Sequence, residues 1–237
     1  PFSVLFDQAS RTTEPRGFTD AFQLAPGLSV IAEIKRRSPS KGILRVDLVP
    51  EDMAKLYETS GASCLSVLTD TEFFSGSRDD LMEARSATGL PVLRKDFTVG
   101  ARDICDARIM GADCVLLIVA ALDDEELKDL LSLTKELKMD ALVETHDEAE
   151  VERALNAGAE MIGVNQRDLV TFKVDQERAL RVVREIPQSV IRVAESGIRS
   201  IDDAKALAGA GYIAILVGEA FVTSQDPSSL ISAFQGI

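Results

Sequence analysis

Five apolar stretches of this chain end on charged or amide side chains where a purely structural strand would stay greasy. Val30-Ile31-Ala32 runs into Glu33 and Lys35, and Val92-Leu93 into Lys95. Leu142-Val143 runs into Glu144, Gly163-Val164 into Asn165, and Val193-Ala194 into Glu195. Side chains two apart on a strand share a face. Ile31, Glu33 and Lys35 therefore point one way, as do Leu93, Lys95 and Phe97. The same parity groups Leu142 with Glu144, Gly163 with Asn165 and Arg167, and Val193 with Glu195. In every set the apolar or small member comes first and the polar member later. Lysines and carboxylates gathered at one end of a sheet are the groups that move protons and hold anions.

Each residue also has a plain reading. Lys35 before Arg36-Arg37 could be a solvated loop, and Glu144 half of a surface ion pair. Agreement in direction across five strands favours chemistry. Arg94 and Asp96 have the opposite parity to Lys95 and read as a supporting pair on the helix-facing side. His146, the only histidine, shares the parity of Glu144. Its titration range suits catalysis, but it reads as a residue that caps or lines the loop.

A second signal points to an anion. Ser38-Pro39-Ser40-Lys41-Gly42 is a rigid, hydroxyl-rich, cationic turn. Ser196-Gly197 and Val217-Gly218-Glu219 end the last two strand candidates, where barrels bind phosphate with backbone amides and glycine permits close approach. Ser38 and Lys41 are placed to complete that cradle. One histidine and scattered cysteines offer no metal-ligand cluster. No GxGxxG or P-loop is present, so no nucleotide cofactor is implied.

The elements that must position these groups follow in order. Strand candidates are 30–35, 64–69, 92–97, 115–120, 141–145, 161–166, 190–196 and 214–219. Helical patterns lie between them, among them 50–60, 123–138, 147–156 and 201–208. Carboxylates at Glu51-Asp52 and Asp123 to Glu126 mark helix starts. Gly61-Ala62, Gly111-Ala112, Gly158-Ala159 and Gly209 to Gly211 form a weak repeat at helix ends, each just before an apolar run. Eight strands alternating with helices predict an α/β fold, a (β/α)₈ TIM barrel over residues 30–237. An open doubly wound sheet is the alternative. Residues 1–29, with Phe2, Leu5, Phe6, Phe18, Phe22 and Leu24, predict an N-terminal arm of one or two short helices packed over the barrel and ending at Pro26-Gly27.

The composition sets limits on all this. With 237 residues, 46% hydrophobic and 27% charged, the chain is of ordinary globular type. A net charge of −13 argues against nucleic-acid binding but leaves room for a local cationic pocket. Cys64, Cys105 and Cys114 form no CxxC pair, so a disulfide framework is not expected and a cytoplasmic location is. No apolar run is long enough to cross a bilayer, and no signal peptide is visible.

Taken together, IAEIKRRSPSKG (31–42), LSVLTDTEFFSGSRDDL (65–81), PVLRKDF (91–97), GADCVLLI (111–118), LVETH (142–146), IGVNQRDLVTF (162–172), AESGI (194–198) and LVGEAFV (216–222) closely resemble the indole-3-glycerol-phosphate synthase family of tryptophan biosynthesis. The resemblance runs from Val30 to the end and touches all eight strands. It implies a cytoplasmic carboxy-lyase of aromatic amino acid biosynthesis. Such an enzyme closes the indole ring of 1-(2-carboxyphenylamino)-1-deoxyribulose 5-phosphate with loss of CO₂ and water. It implies no cofactor and no metal, a phosphorylated small molecule as ligand, and a monomer or an associate of other tryptophan-pathway enzymes.

By resemblance, Lys95 is the general acid and Lys35 binds the substrate carboxylate. Glu144 is the acid/base for dehydration, and Glu33, Asn165 and Ser196 position these groups. Phe74, Phe97, Leu116 and Leu169 form the apolar slot for the anthranilate ring, with Arg167 and Glu195 at its polar edge. Ser38, Gly197, Gly218 and Glu219 match phosphate positions, Glu219 through its backbone N–H with the side chain pointed away. Thr145, Gln166 and the Ala220-Phe221-Val222 run depart from common family residues. The first two lie between inward positions, where little effect is expected, and the third would alter the phosphate loop slightly. The arm is shorter than the family usually shows. A sister phosphate barrel such as phosphoribosylanthranilate isomerase would want an aspartate and a cysteine at strand ends, whereas Cys64 heads its strand. A catalytically silent barrel scaffold is the remaining alternative, against which the intact Lys35, Lys95 and Glu144 argue.

Overall fold

The β-branched runs and amphipathic segments become a ring of strands inside a ring of helices. The computed structural model describes residues 1–168 and 171–237. Eight parallel strands close into one barrel. They are β1 (Ser29–Ile34), β2 (Cys64–Leu68), β3 (Val92–Lys95) and β4 (Cys114–Ile118), followed by β5 (Asp140–Thr145), β6 (Met161–Asn165), β7 (Ile191–Glu195) and β8 (Ala214–Val217). Each pairs with its sequence neighbours, and β1 closes the ring against β8 through Ser29↔Ala214 to Ala32↔Val217. The chain is therefore a (β/α)₈ barrel, and the open-sheet alternative falls.

Several strands stop a residue or two before the apolar patterns suggest. Lys35, Phe97 and Gly218 lie just past strand ends, and Val119–Ala121 turns as a 3₁₀ helix instead of extending β4. Around the strands, among the described residues, run the helices α1 (Phe2–Ser10), α2 (Pro50–Thr59), α3 (Arg78–Ala87), α4 (Ala101–Met110), α5 (Asp124–Glu136), α6 (Glu148–Ala157), α7 (Gln176–Val182), α8 (Ile201–Ala210), α9 (Glu219–Thr223) and α10 (Pro227–Gln235). Asp123 caps α5 by accepting from the Glu126 N–H, and Asp147 caps α6 by accepting from that of Glu150. Both supply the partner that the first turn of a helix lacks. Gly111 and Gly158 end α4 and α6 at φ 91° and 90°, a left-handed conformation that glycine adopts without cost.

The apolar residues divide into two cores by parity. Val30, Ala32, Leu65, Val115, Leu117 and Val143 face outward into the helix layer. Ile31, Leu93, Cys114, Leu116, Leu142 and Val193 face inward and fill the barrel. The lower barrel is thus a packed core, as this fold requires.

Its floor is the N-terminal arm. Phe18 and Phe22 enter the inner core from below, edge to face with centroids 5.6 Å apart. The link is pinned by hydrogen bonds to the strands' N-terminal ends: the Arg16 N–H donates to Asp113 (2.8 Å) and the Thr19 N–H to Asp140 (3.0 Å). Asp113 is fully buried and also accepts from the Val92 N–H and the Arg85 guanidinium. Arg108 of α4 donates to the Thr12 and Thr13 carbonyls. The arm expected over the barrel thus lies beneath it, opposite the C-terminal mouth. Leu24 takes no part in that packing and is 86% exposed.

Phe18→Ala is expected to cost about 3–5 kcal/mol by opening a cavity in the floor. Chemical denaturation would register this as a lower midpoint, while steady-state KM, set at the opposite end of the barrel, stays within twofold.

Candidate active site

At the C-terminal mouth the inward face changes from apolar to charged. Above Ile31, Leu93, Leu142 and Val193 sit Glu33, Lys95, Glu144 and Glu195, each two residues further along its strand. They line one cavity of about 350 Å³, within the range of small-molecule sites. Fifteen of the sixteen site residues expected from the sequence line it: Lys35, Lys95, Glu144, Glu33, Asn165, Ser196, Ser38, Phe74, Phe97, Leu116, Arg167, Glu195, Gly197, Gly218 and Glu219. Leu169 lies outside the described residues.

The centre of the site is Lys95. Its Nζ stands 3.2 Å from Glu144 Oε2 and 3.6 Å from Glu195 Oε2. Burial works against its charge, but Glu144, Glu195 and Glu33 outweigh that and raise its pKa. It rests as an ammonium. Glu144 and Glu195 share one low-dielectric space and titrate as a pair. Burial pushes both upward; Lys95 and His146 reverse this for Glu144, whose pKa is lowered. The Glu144 charge reinforces it for Glu195, whose pKa is raised well above the ordinary carboxylate range. The surroundings thus favour the ionised form of Glu144 and oppose that of Glu195. On the adjoining wall Lys35 Nζ meets Glu33 Oε1 at 2.5 Å.

Two glycines make room for these carboxylates. A Cβ on Gly163 would fall 2.1 Å from Glu195 Oε1, and one on Gly218 would fall 2.3 Å from Glu33 Oε1. Gly163 stands in register with Glu144 on β5 and Val193 on β7. Its carbonyl accepts from Thr145 Oγ1 at 3.1 Å.

The rim has its own geometry. Ser196 and Gly197 follow β7 with φ 66° and 72°, a left-handed pair that turns the backbone sharply. Gln166 holds it, donating to the Ser196 carbonyl at 2.7 Å, and Gln176 donates to the Gly197 carbonyl at 3.1 Å. Gln166, expected to matter little, is nearly fully buried and braces the loop. Arg167, expected at the edge of the apolar slot, belongs to the rim. It lies past the end of β6, bridges to Val174, and donates to Ser40 Oγ at 3.2 Å. The Glu219 carboxylate lies 3.7 Å from Lys41 and 3.8 Å from Arg167. Glu195, expected beside Arg167, is the last residue of β7, still paired to Asn165 and Leu216, and so points down to Lys95.

Phe74 and Phe97 pack at a 41° tilt with centroids 6.5 Å apart and, with Leu116, form an apolar wall. Leu68 and Ile118 extend it; parity on β2 and β4 would have found both. Phe172 and Val174 also line it, from a loop with no periodic signal. Arg94 and Asp96 pair at 2.9 Å behind Lys95. Cys64 lies at the floor, its Sγ 3.5 Å from the Phe18 carbonyl, far from the position an isomerase of the sister class would need. Among the described residues, no cluster of three histidine, cysteine, aspartate or glutamate side chains is placed to hold a metal ion, and no helix is long and apolar enough to cross a membrane.

A closed (β/α)₈ barrel with charged groups gathered at its C-terminal mouth defines a barrel enzyme. Known proteins narrow the class. Two solved structures share the fold at TM-scores of 0.64 and 0.66 with only 15% and 16% identity. They are the N-acetylmannosamine-6-phosphate 2-epimerase of Clostridium perfringens (81% of this chain, 86% of that one) and the thiamine phosphate pyrophosphorylase of Pyrococcus furiosus (88% and 94%). Curated relatives are far more similar in sequence. The indole-3-glycerol phosphate synthase of a Polaromonas species is 46% identical over 240 residues, covering 100% of this chain and 91% of that protein. That of Mycolicibacterium vanbaalenii is 50% identical over 226 residues, covering 95% and 83%. The family model described as indole-3-glycerol phosphate synthase matches residues 2–234. The chain belongs to the indole-3-glycerol phosphate synthase family.

Two outcomes follow from the packing of the carboxylates. Gly163→Ala and Gly218→Ala should fold, with unchanged circular dichroism, yet lose roughly 10–100-fold in kcat because the displaced carboxylate is of order 1 Å out of place. Glu195→Gln, a neutral isostere of the protonated acid, should remove a pH-dependent loss of stability. A carboxyl whose folded pKa is raised stabilises at low pH, and that contribution is lost as pH rises through the folded value. The denaturation midpoint of Glu195→Gln relative to the unsubstituted chain should therefore climb as pH rises above the ordinary carboxylate range.

Proposed function

We propose that this chain catalyses the indole-3-glycerol phosphate synthase reaction, closing the indole ring of 1-(2-carboxyphenylamino)-1-deoxyribulose 5-phosphate with release of CO₂ and water. The observation that carries the reading is the buried ammonium of Lys95, held by Glu144 and Glu195 between an apolar wall and a glycine-hydroxyl rim. The substrate has three parts, and the mouth has a complement for each. The aromatic ring suits Phe74, Phe97 and Leu116. The phosphate suits the rim of Ser38, Gly197 and Gly218, with the Glu219 N–H. The carboxylate suits Lys35, whose resting partner is Glu33.

The chemistry then assigns roles. The ring carbon bearing the carboxylate attacks the sugar ketone, and negative charge builds on the ketone oxygen. Lys95 gives that oxygen a proton. The bond to the carboxylate breaks, its electron pair returns to the ring, and CO₂ leaves. In the second half the new hydroxyl leaves as water, protonated by an ammonium for which Lys35 is available. The neighbouring carbon loses a proton to Glu144, and the pyrrole double bond forms. Asn165, whose Oδ1 accepts from the Arg167 N–H at 3.0 Å, and Ser196 orient the sugar hydroxyls.

Incubating the purified chain with this substrate should generate the fluorescence of the indole product; a folded protein that yields none would sink the assignment. Lys95→Ala is expected to lower kcat by about 10²–10⁴-fold while changing the affinity for a phosphate-bearing product analogue less than threefold. Retained turnover would remove Lys95 from the acid role.

A further inference from the structure

His146 lies just outside the reacting groups and is tied to one of them. Its backbone N–H and its Nδ1 both meet Glu150 Oε2, at 2.8 and 3.0 Å. These two contacts fix the ring and dedicate Nδ1 to the α6 carboxylate. The other nitrogen, Nε2, is buried without a hydrogen bond, and Glu144 Oε1 stands 3.5 Å away. The opposite oxygen of Glu144, Oε2, faces Lys95. Glu144 is therefore held between two nitrogens on two sides.

We infer that His146 is a positioning residue for Glu144, its protonated ring holding that side chain in place as the carboxylate; this rests on the acid/base role proposed for Glu144. The geometry permits few alternatives. With Nδ1–H given to Glu150, Nε2 either presents a lone pair to an ionised carboxylate, which is repulsive, or carries a proton and attracts it. Only the imidazolium satisfies both carboxylates. The charged groups facing the ring are Glu144 from β5, Glu150 from α6 and Arg178 from α7. Burial opposes the charge and so does Arg178, but the hydrogen bond to Glu150 and the charges of both glutamates outweigh them, and the ring's pKa is raised. The 3.5 Å separation is long for a hydrogen bond, as catalytic contacts often are before substrate tightens them.

The arrangement has a use within the cycle. Once Lys95 has delivered its proton it no longer supports the charge on Glu144. His146 remains as the cation on the other oxygen, so Glu144 stays ionised for the later proton abstraction.

The chain has a single histidine, so ¹⁵N-histidine labelling of tag-free protein yields one imidazole to titrate by NMR. Its midpoint should lie above the ordinary value of about 6.5 and fall by about one pH unit in Glu144→Gln. A midpoint that Glu144→Gln leaves in place overturns the inference, and this readout needs no variant at position 146. Kinetically, His146→Asn and His146→Gln should keep KM within about twofold and lose roughly tenfold in kcat. The acid limb of the kcat profile should move to higher pH, because Glu144 without its second cation takes a proton more readily. A loss equal at all pH values marks a merely structural role and also overturns it. Glu144→Gln separates the two readings. If that variant is inactive while the limb of the position-146 variants stays put, only the role of His146 falls; if it turns over normally, the acid/base role of Glu144 and this inference fall together.

Discussion

Everything at the mouth depends on keeping an ammonium and several carboxylates out of water. Removing an ion from water costs several kcal/mol even after relaxation, and this site does so for Lys95 and Glu144. Two devices lower the cost. The pKa of Glu195 is raised by burial and by the neighbouring Glu144, which disfavours a second negative charge in the pair. Each oxygen of Glu144 faces a nitrogen that can carry charge. A cluster so balanced contributes little to stability, because its Coulomb gain mostly offsets its desolvation. The fold has to be held elsewhere: by the apolar inner layers, the helix-strand core and the aromatic floor.

That division explains how the two ends of the barrel differ. At the floor, Asp113 is satisfied by three backbone or guanidinium donors and locks the arm, a static use of buried charge. At the mouth, Lys95 has partners 3.2 and 3.6 Å away, and Glu195 Oε1 has none. The loose contacts are where protons must move. Barrel closure imposes the rest. Strand stagger brings Gly163 under Glu195 and Gly218 under Glu33, so side chains too large for the upper layer find space over a neighbour that has none.

Much of this was legible from a period of two. Alternation on β1, β3, β5, β6 and β7 identified Glu33, Lys95, Glu144, Asn165 and Glu195 because those residues lie on regular strands or at their last position. The rule failed once the chain left the sheet. Parity carried Arg167 to the mouth but not to its place on the rim, and it says nothing about Phe172, which sits in a loop whose course is set by tertiary contacts. Gln166 looked inert because parity put it on the outer face, yet a side chain there can still reach the next strand's loop, as its bond to Ser196 does. The arm was misplaced for another reason. Its phenylalanines announce burial, but hydrophobicity alone does not say which end of a barrel they will seal. That is decided by pairings such as Arg16 with Asp113 and Thr19 with Asp140, nearly a hundred or more positions apart in the chain.

The charge of the whole chain bears on how such a site can bind its ligand. A substrate with a phosphate and a carboxylate approaches a protein of net charge −13, so the long-range field repels it, although salt screens that field beyond ~8 Å. Attraction has to be short-ranged. Yet four of the cations that line the mouth already have partners: Lys35 with Glu33, Lys95 with Glu144 and Glu195, Lys41 and Arg167 with Glu219. Binding is therefore an exchange of one carboxylate partner for another rather than neutralisation of a bare charge. Such an exchange gives modest affinity but rewards the anion that fits, since a misplaced one leaves a buried cation with neither partner. Under the role proposed for Lys35, a substrate carboxylate that takes its ammonium also frees Glu33, so the entry of the ligand would itself rearrange the charges around Lys95.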